Sequence, residues 1–257
     1  MTHVDHDKQK WRVMSKKGFF YNIGLFLRSL LFSSIVIITV TFYSFFCVAA
    51  FILPTRYRCA MIAGWTSFML WVLKVVCGIK VKVEGIKNIP KDSNGIVMCK
   101  HQSTWETFFL PQHFPQVAII LKKQLLWVPF FGWGLASTDP IAIDRSKKSS
   151  AMEQILKKGK EYLNKGRWIL VFPEGTRIPY GQVGKYNLGG ARLATHTGYP
   201  IIPVAHNAGR FWPRRRFIKI PGTVHVVFGP LIETKDRSPE DVMAEVKEWI
   251  ESTIQRL

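Results

Sequence analysis

Residues 168–177 read WILVFPEGTR, an apolar run of five residues that meets a proline and then a glutamate, a glycine, a threonine and an arginine. An apolar run of this length without a polar face is typical of a strand that helices cover on both sides. The polar residues then lie in the loop that leaves the strand, where α/β proteins place their functional groups. This stretch predicts both the fold class and one part of a site.

Six more short apolar runs along the chain are predicted strands. They cover residues 81–83, 95–99, 117–121, 141–143, 201–204 and 224–228. Helical patterns lie between and after them: residues 151–165 place apolar side chains on one face after Ser149 or Ser150 as a cap, and Ser238 followed by Pro239 starts a last helix. This alternation predicts one α/β domain over residues 80–257, with a largely parallel sheet flanked by helices.

The N-terminal part of the chain is predicted to be a hydrophobic helical membrane anchor. Residues 29–53 carry no charge, and as a helix they would extend about 38 Å, enough to cross a hydrocarbon core about 30 Å thick. Bulky residues run directly into Pro54 without a signal-peptide cleavage site, so we expect this segment to be retained. A second apolar run, residues 59–79, is interrupted only by Lys74. Residues 1–79 are thus predicted to form a membrane-associated hairpin, in which the second run crosses, re-enters or lies at the interface.

The chain is strongly basic, with 36 Lys and Arg against 17 Asp and Glu in 257 residues. Because 47% of the residues are hydrophobic, disorder is excluded as the main state, and the excess charge predicts a polyanionic partner, either nucleic acid or an anionic membrane surface. The side of the first apolar run nearer the N-terminus is the more basic one: Lys10, Arg12, Lys16, Lys17 and Arg28 stand against Arg56 and Arg58. This bias predicts a cytoplasmic N-terminus, and a hairpin returns the α/β domain to the cytoplasmic side.

His101 opens the sequence HQSTWE after the predicted strand 95–99, and Glu106 follows five positions later. With His101 on the loop and Glu106 in the next helix, the chain can bend so that the carboxylate reaches an imidazole nitrogen. Such a pair makes the imidazole a general base for a hydroxyl proton. The sequence holds no GxSxG elbow, so the attacking oxygen is expected to belong to the substrate. The other histidines singled out are expected to be structural or surface residues: His113, His196, His206 and His225.

The loop after the strand 168–172 supplies the second group of candidate residues. Gly175 permits a tight turn that presents backbone N–H groups, and Arg177 offers a two-pronged guanidinium for a phosphate. Glu174 is expected to orient that arginine or to accept a hydrogen bond from a hydroxyl; the alternative is an ion pair that only closes the turn. The loop suits a phosphomonoester with a free hydroxyl beside it.

HQSTWE and FPEGTR resemble the first and third motifs of the glycerolipid acyltransferase family, specifically the 1-acyl-sn-glycerol-3-phosphate acyltransferases. That family has His, four residues and Asp in its first motif, so Glu106 departs from it by one methylene, whereas FPEGTR is unchanged. Further positions resemble the family in the expected order, over roughly residues 80–230: Lys122 or Lys123, Asp144 with Arg145, Lys185 with Gly189 and Gly190, and Pro203.

The resemblance implies direct attack of the lysophosphatidic acid hydroxyl on the thioester of acyl-CoA or an acyl carrier protein, giving phosphatidic acid. His101 would be the base and Glu106 its partner. The residues implied for acceptor binding are Arg145, Glu174, Gly175, Thr176, Arg177 and Lys185. No cofactor and no metal are implied, because the thioester is already activated and backbone N–H groups can hold the oxyanion.

Two alternatives remain open on the sequence alone. The acceptor can be a different lysophospholipid, which would lack the phosphomonoester. The chain can also be a membrane-tethered protein without enzymatic activity whose basic domain binds nucleic acid, but this alternative leaves FPEGTR without a reason. The run RFWPRRRFIK, residues 210–219, mixes arginines with aromatic rings and suits anionic lipid headgroups, a nucleic acid or simply an exposed loop. Beside a membrane anchor, anionic headgroups are the nearer polyanion, so no nucleic acid is expected as a partner.

Overall fold

The computed structural model describes residues 18–144 and 146–257, in which seven strands form one mixed sheet. The strands are β1 (Ile79–Glu84), β2 (Ile96–Cys99), β3 (Ala118–Lys122), β4 (Ile141–Ile143), β5 (Ile169–Val171), β6 (Ile201–His206) and β7 (Gly222–Phe228). Their order across the sheet is β1-β7-β6-β2-β5-β3-β4, and every neighbouring pair is parallel except β6 with β7. The predicted largely parallel α/β fold is confirmed.

Seven α-helices occur in the described residues. They are α1 (Phe19–Ala49), α2 (Thr55–Cys77), α3 (Trp105–Phe109), α4 (Phe131–Ser137), α5 (Lys148–Asn164), α6 (Gly189–Thr197) and α7 (Pro239–Gln255). Helix α7 begins as predicted, since Ser238 Oγ accepts a hydrogen bond from the N–H of Asp241 at 3.1 Å and Pro239 is the first helical residue. Helix α5 begins earlier than predicted, so Ser149 and Ser150 lie inside its first turn rather than at its cap.

The sheet separates two hydrophobic cores because successive residues of a strand point to opposite faces. In β2, Val97 and Cys99 join the core that contains residues of α1, α2 and α3. Ile96 and Met98 join the core formed with α5, α6 and α7. The sheet is therefore covered by helices on both faces, and the carboxyl ends of β2, β5 and β6 meet at one edge.

Helices α1 and α2 form an antiparallel hairpin. Tyr43 of α1 donates a hydrogen bond to the carbonyl of Met61 in α2, and Cys77 near the end of α2 contacts the carbonyl of Arg28. Both helices are long and apolar enough to cross a membrane by length and composition. The hairpin also packs on the α/β domain, since Phe32, Met69 and Leu73 are fully buried in the shared core. Many outward apolar side chains remain exposed, among them Phe42 and Ile52.

Candidate active site

His101 and Glu106 form a hydrogen-bonded pair just beyond the carboxyl end of β2. His101 Nδ1 lies 2.9 Å from Glu106 Oε1. The loop between them turns before α3 begins at Trp105, and this turn brings together two side chains that a continuous helix would hold apart. The imidazole ring stacks on Phe172, at 4.1 Å between ring centroids. A neutral imidazole that donates its Nδ1 proton to a carboxylate has its Nε2 available as a base.

Glu106 is completely buried and held by several donors. Besides His101, its carboxylate accepts hydrogen bonds from the backbone N–H groups of Gln102 and Ser103, at 2.9 and 2.8 Å. Burial alone would raise the pKa of Glu106, but the nearby His206 and His101 rings and the Ser103 N–H outweigh it and lower the pKa. The carboxylate is therefore ionised and fixed toward the imidazole despite its extra methylene.

His206 lies behind this pair, at the end of β6. Its Nε2 is 2.9 Å from the Lys100 carbonyl and 3.8 Å from Glu106 Oε2, while its Nδ1 accepts the N–H of Ala208. Because a carbonyl only accepts, Nε2 carries the proton and the ring is neutral. Burial lowers the pKa of His206, over the opposing effect of Glu106. The sequence signal that points to it is its place just after the predicted strand 201–204.

The residues after β5 form a turn that is hydrogen-bonded to the His101 loop. Gly175 has φ 65°, a left-handed conformation that favours glycine. The N–H of Ile178 donates to the carbonyl of His101 at 2.7 Å, and the N–H of His101 donates to Glu174 Oε2 at 2.8 Å. The two motifs, more than seventy positions apart in the sequence, are thus joined directly in space.

Glu174 and Lys100 form a buried ion pair beneath this turn. Lys100 Nζ lies 2.7 Å from Glu174 Oε1 and 2.6 Å from Glu251 Oε1 of α7, and the Lys100 side chain is fully buried. Burial raises the pKa of Glu174, although Lys100 opposes the shift. Both oxygens of Glu174 have protein partners, Lys100 and the His101 N–H, so the structure gives it different contacts from the arginine or substrate hydroxyl expected from the sequence.

A cavity of about 700 Å³ opens beside the His–Glu pair. His101, Gly175, Thr176 and Arg177 line its polar part, together with Lys122, Arg214 and Arg215. Its apolar part runs between the hairpin and the α/β domain, past side chains of α1, α2 and α4 such as Cys47, Ile62 and Leu135. His101 and Arg177 therefore face one common space, as the sequence predicts.

Arg177 is partly buried at this cavity. Its Nε has no hydrogen-bond partner among the described residues, and its carbonyl accepts a hydrogen bond from Arg214 Nη1 at 2.6 Å. Burial lowers the pKa of Arg177, with Glu106 opposing and Arg214 adding to the shift. A guanidinium with an unsatisfied buried N–H, open to a cavity, can bind an anion.

The remaining residues predicted from the sequence differ in their relation to the cavity. Lys185 is exposed and does not line the cavity. Arg145 lies outside the described residues. Lys122 lines the cavity, whereas Lys123 does not. Within residues 18–144 and 146–257, no group of three or more His, Cys, Asp or Glu side chains could hold a metal ion.

Four residues of the site were not predicted from the sequence: Lys100, Glu251, Arg214 and Arg215. The signal in the sequence for Lys100 is a charge directly after the apolar strand β2 and directly before His101. Glu251 carries no signal at all, because its partner is 151 positions away. Arg214 and Arg215 belong to the segment 210–219, for which the sequence favours anionic lipid headgroups and leaves a nucleic acid or a plain exposed loop open.

Comparisons with known proteins identify relatives of this chain. Residues 80–207 match the family model described as Acyltransferase. Over 215 residues the chain is 46% identical to the 1-acyl-sn-glycerol-3-phosphate acyltransferase of Pseudomonas aeruginosa, with 82% of each chain covered. It is 36% identical over 188 residues to the Saccharomyces cerevisiae enzyme of the same name, covering 71% of this chain and 61% of that one. The crystal structure of the 1-acyl-sn-glycerophosphate (LPA) acyltransferase PlsC from Thermotoga maritima superposes with a TM-score of 0.78 at 26% identity, covering 91% of this chain and 96% of that chain.

Proposed function

This chain belongs to the 1-acyl-sn-glycerol-3-phosphate acyltransferase family, and from that premise we propose that it moves a fatty acyl group from acyl-CoA or an acyl carrier protein to the free hydroxyl of lysophosphatidic acid. The product is phosphatidic acid. The single observation that carries the proposal is the shared cavity, into which both the His101 ring and the Arg177 guanidinium open.

In the proposed reaction His101 acts as the general base. Its Nε2 takes the proton of the acceptor hydroxyl while the oxygen attacks the thioester carbonyl, and the carbon–sulfur bond then breaks. The imidazolium returns the proton to the departing thiolate. Glu106 supports this cycle because its ionised carboxylate, 2.9 Å from Nδ1, stabilises the imidazolium and fixes the ring.

The polar part of the cavity is proposed to bind the acceptor. Arg177 would hold the phosphate, and Gly175 and Thr176 line the cavity beside it. Glu174 would support the site from below, through the His101 N–H, rather than touch the lipid. Arg145 and Lys185 are also proposed to contribute to acceptor binding. Lys185 does not line the cavity, so it would contact the phosphate only of an acceptor that extends beyond it.

The apolar part of the cavity is proposed to take an acyl chain. Its volume of about 700 Å³ falls within the range of about 300–1,000 Å³ that ligand pockets usually have. The side chains of α1 and α2 that line it are apolar or small, including Val40, Cys47 and Ile62. A hydrocarbon chain entering here is removed from water, which favours its binding.

We also propose that residues 1–79 associate with the membrane and that residues 80–257 perform the chemistry on the cytoplasmic side. The exposed apolar side chains of α1 and α2 support the first part. The basic residues before α1 support the second part through the positive-inside rule. Anionic lipids are the proposed surface partner, and no nucleic acid and no cofactor are expected.

The experiment replaces the base and measures product. His101→Ala in detergent-purified protein is expected to abolish phosphatidic acid formation from lysophosphatidic acid and acyl-CoA, measured by mass spectrometry. His196→Ala is the matched control, because His196 is exposed on α6 away from the cavity. Turnover retained by His101→Ala would overturn the mechanism. Acceptors without a phosphomonoester, such as lysophosphatidylcholine, are expected to react poorly. Comparing the rates with acyl-CoA and with acyl carrier protein thioesters identifies the donor.

A further inference from the structure

The segment 210–219, RFWPRRRFIK, is anchored at both ends by packing. Phe211 is buried, and Trp212 packs edge-on against Phe32 of α1 at 5.4 Å between ring centroids. Lys219 is buried among aromatic rings and donates a hydrogen bond to Ser33 Oγ of α1 at 2.9 Å. The rings of Phe211 and Trp212 therefore pack in the core, and the arginines of the segment lie between this packed end and the buried Lys219.

Two of these arginines face the catalytic cavity. Arg214 and Arg215 line it together with His101 and Arg177, and Arg214 also donates to the Arg177 carbonyl at 2.6 Å. The charged side chains among the described lining residues are all cationic: Lys122, Arg177, Arg214 and Arg215. The like charge of Arg214 adds to the burial that lowers the pKa of Arg177. A cavity with this charge attracts an anion and gains from binding one.

The backbone at Arg215 gives an independent argument. The N–H of Arg216 donates to the Pro213 carbonyl at 3.2 Å, which makes residues 213–216 a tight turn. Arg215 has φ 59° at the third position of this turn, where glycine or asparagine is favoured. An arginine at a backbone position that favours glycine or asparagine, and that lines the cavity, points to a role for its side chain there.

We propose that the side chain of Arg215 binds a phosphate group of a substrate in this cavity, as a second cationic group beside Arg177. We call this side chain the Arg215 arm; it lies on the turn that is hydrogen-bonded through Arg214 to the Arg177 carbonyl. The inference rests on the proposed function and extends it from one guanidinium to two. A phosphomonoester carries close to two negative charges and three acceptor oxygens, which suits two arginines better than one. Acyl-CoA also carries phosphates, so the same arm can serve the acceptor or the donor.

Kinetics of Arg215→Asn test the arm, because asparagine tolerates the left-handed conformation and removes only the charge and the reach. The KM for one substrate is expected to rise about tenfold, as for loss of one charge-assisted hydrogen bond, with kcat changed much less. Arg215→Lys is expected to be intermediate. The matched control is Arg216→Asn, an exposed neighbour that does not line the cavity.

The substrate whose KM rises in Arg215→Asn identifies whether the bound phosphate belongs to the acceptor or to the donor. A rise for lysophosphatidic acid assigns the arm to the acceptor. A rise for acyl-CoA that vanishes with an acyl-N-acetylcysteamine thioester, which has no phosphate, assigns it to the donor. Unchanged KM values for both substrates, or an equal effect of Arg216→Asn, would overturn the proposal.

A binding measurement separates this proposal from the proposed function. Inorganic pyrophosphate is expected to raise the thermal unfolding temperature of the wild type and of Arg216→Asn, and to do so less for Arg215→Asn. An equal response in all three proteins would contradict the arm, whatever the turnover. A wild type that binds pyrophosphate but makes no phosphatidic acid would contradict the proposed function alone.

Discussion

At the scale of single residues, the proposed catalytic pair of His101 and Glu106 has a glutamate where the motif that it resembles has an aspartate. The longer side chain is accommodated because Gln102 and Ser103 donate backbone N–H groups to the same carboxylate that holds His101. These donors restrict the extra rotatable bond. The backbone of the His101 loop thus fixes the carboxylate beside the imidazole, although the Glu106 side chain is one methylene longer than that of aspartate.

Glu106→Gln should lower kcat by about 10³-fold with little change in KM, because the neutral amide cannot stabilise the imidazolium. Steady-state kinetics on both substrates check this. Glu106→Asp restores the charge with a shorter reach and is expected to fall between wild type and Glu106→Gln. A Glu106→Gln protein with kcat within about threefold of the wild type would argue against the general-base role of His101.

His206 should make the folded state sensitive to acid. Its folded pKa lies below the ordinary value, so the unfolded chain binds the proton more readily and the free energy of unfolding falls as the pH falls through about 6.5. One such group contributes a slope of at most about 1.4 kcal/mol per pH unit. His206→Gln keeps a donor for the Lys100 carbonyl but does not titrate.

Denaturant unfolding at pH 5.5, 6.5 and 7.5 compares the two proteins. The wild type is expected to lose more stability toward low pH than His206→Gln. The buried His113 also has a lowered pKa, from desolvation, but it is present in both proteins and cancels in the difference. Parallel pH profiles would show that His206 does not carry the effect.

At the scale of elements, the last helix is connected to the catalytic loop through a buried charge network. Glu251 of α7 contacts Lys100, Lys100 contacts Glu174, and Glu174 accepts the N–H of His101. Tyr186 also donates to Glu251, at 2.7 Å. Helix α7 therefore supports the loop that carries His101, the proposed base, although none of its residues lines the cavity.

Removing the lysine from this network should be costly. Lys100→Met leaves Glu174 buried without its cation and is expected to destabilise the protein by about 3–5 kcal/mol. Equilibrium unfolding in detergent measures this. Lys165→Met is the matched control, since the Lys165–Glu161 pair is exposed, and no measurable change is expected. The double variant Lys100→Met, Glu174→Gln should recover part of the loss, and a Lys100→Met protein as stable as the wild type would show that the pair contributes little.

Local sequence patterns predict the strands well and their arrangement poorly. The run 141–143 and the strand Ile141–Ile143 coincide, because a short apolar run between polar residues is itself a local signal. The antiparallel pairing of β7 with β6 depends on contacts that no local pattern encodes. The site divides in the same way: His101, Glu106 and Arg177 lie in compact motifs, whereas Glu251 and Arg215 reach the site only through the tertiary fold.

At the scale of the whole molecule, the hairpin and the α/β domain share one core. Phe32 of α1 and Met69 and Leu73 of α2 are buried with Val97 of β2 and Val224 of β7. A division at residue 79 separates the proposed membrane anchor from the proposed acyltransferase domain in the sequence, but residues on both sides of it share this core.

Deleting residues 1–77 should therefore do more than release the protein from the membrane. The uncovered face of the sheet is expected to make residues 78–257 insoluble or molten, because burial of several large apolar side chains is lost at about 1.5–3 kcal/mol each. Circular dichroism and size-exclusion chromatography of the fragment check this, with the full chain in detergent as the control. A soluble fragment with a cooperative thermal transition would show that the α/β domain folds alone.

Because α1 and α2 wall one side of the cavity, the helices proposed as the membrane anchor also shape what the cavity can hold. The hairpin therefore cannot be exchanged for other membrane helices without changing the cavity. A chimera that carries the apolar helices of an unrelated protein would have a differently shaped cavity, and under the proposed function its preference among fatty acyl chains would change with that shape.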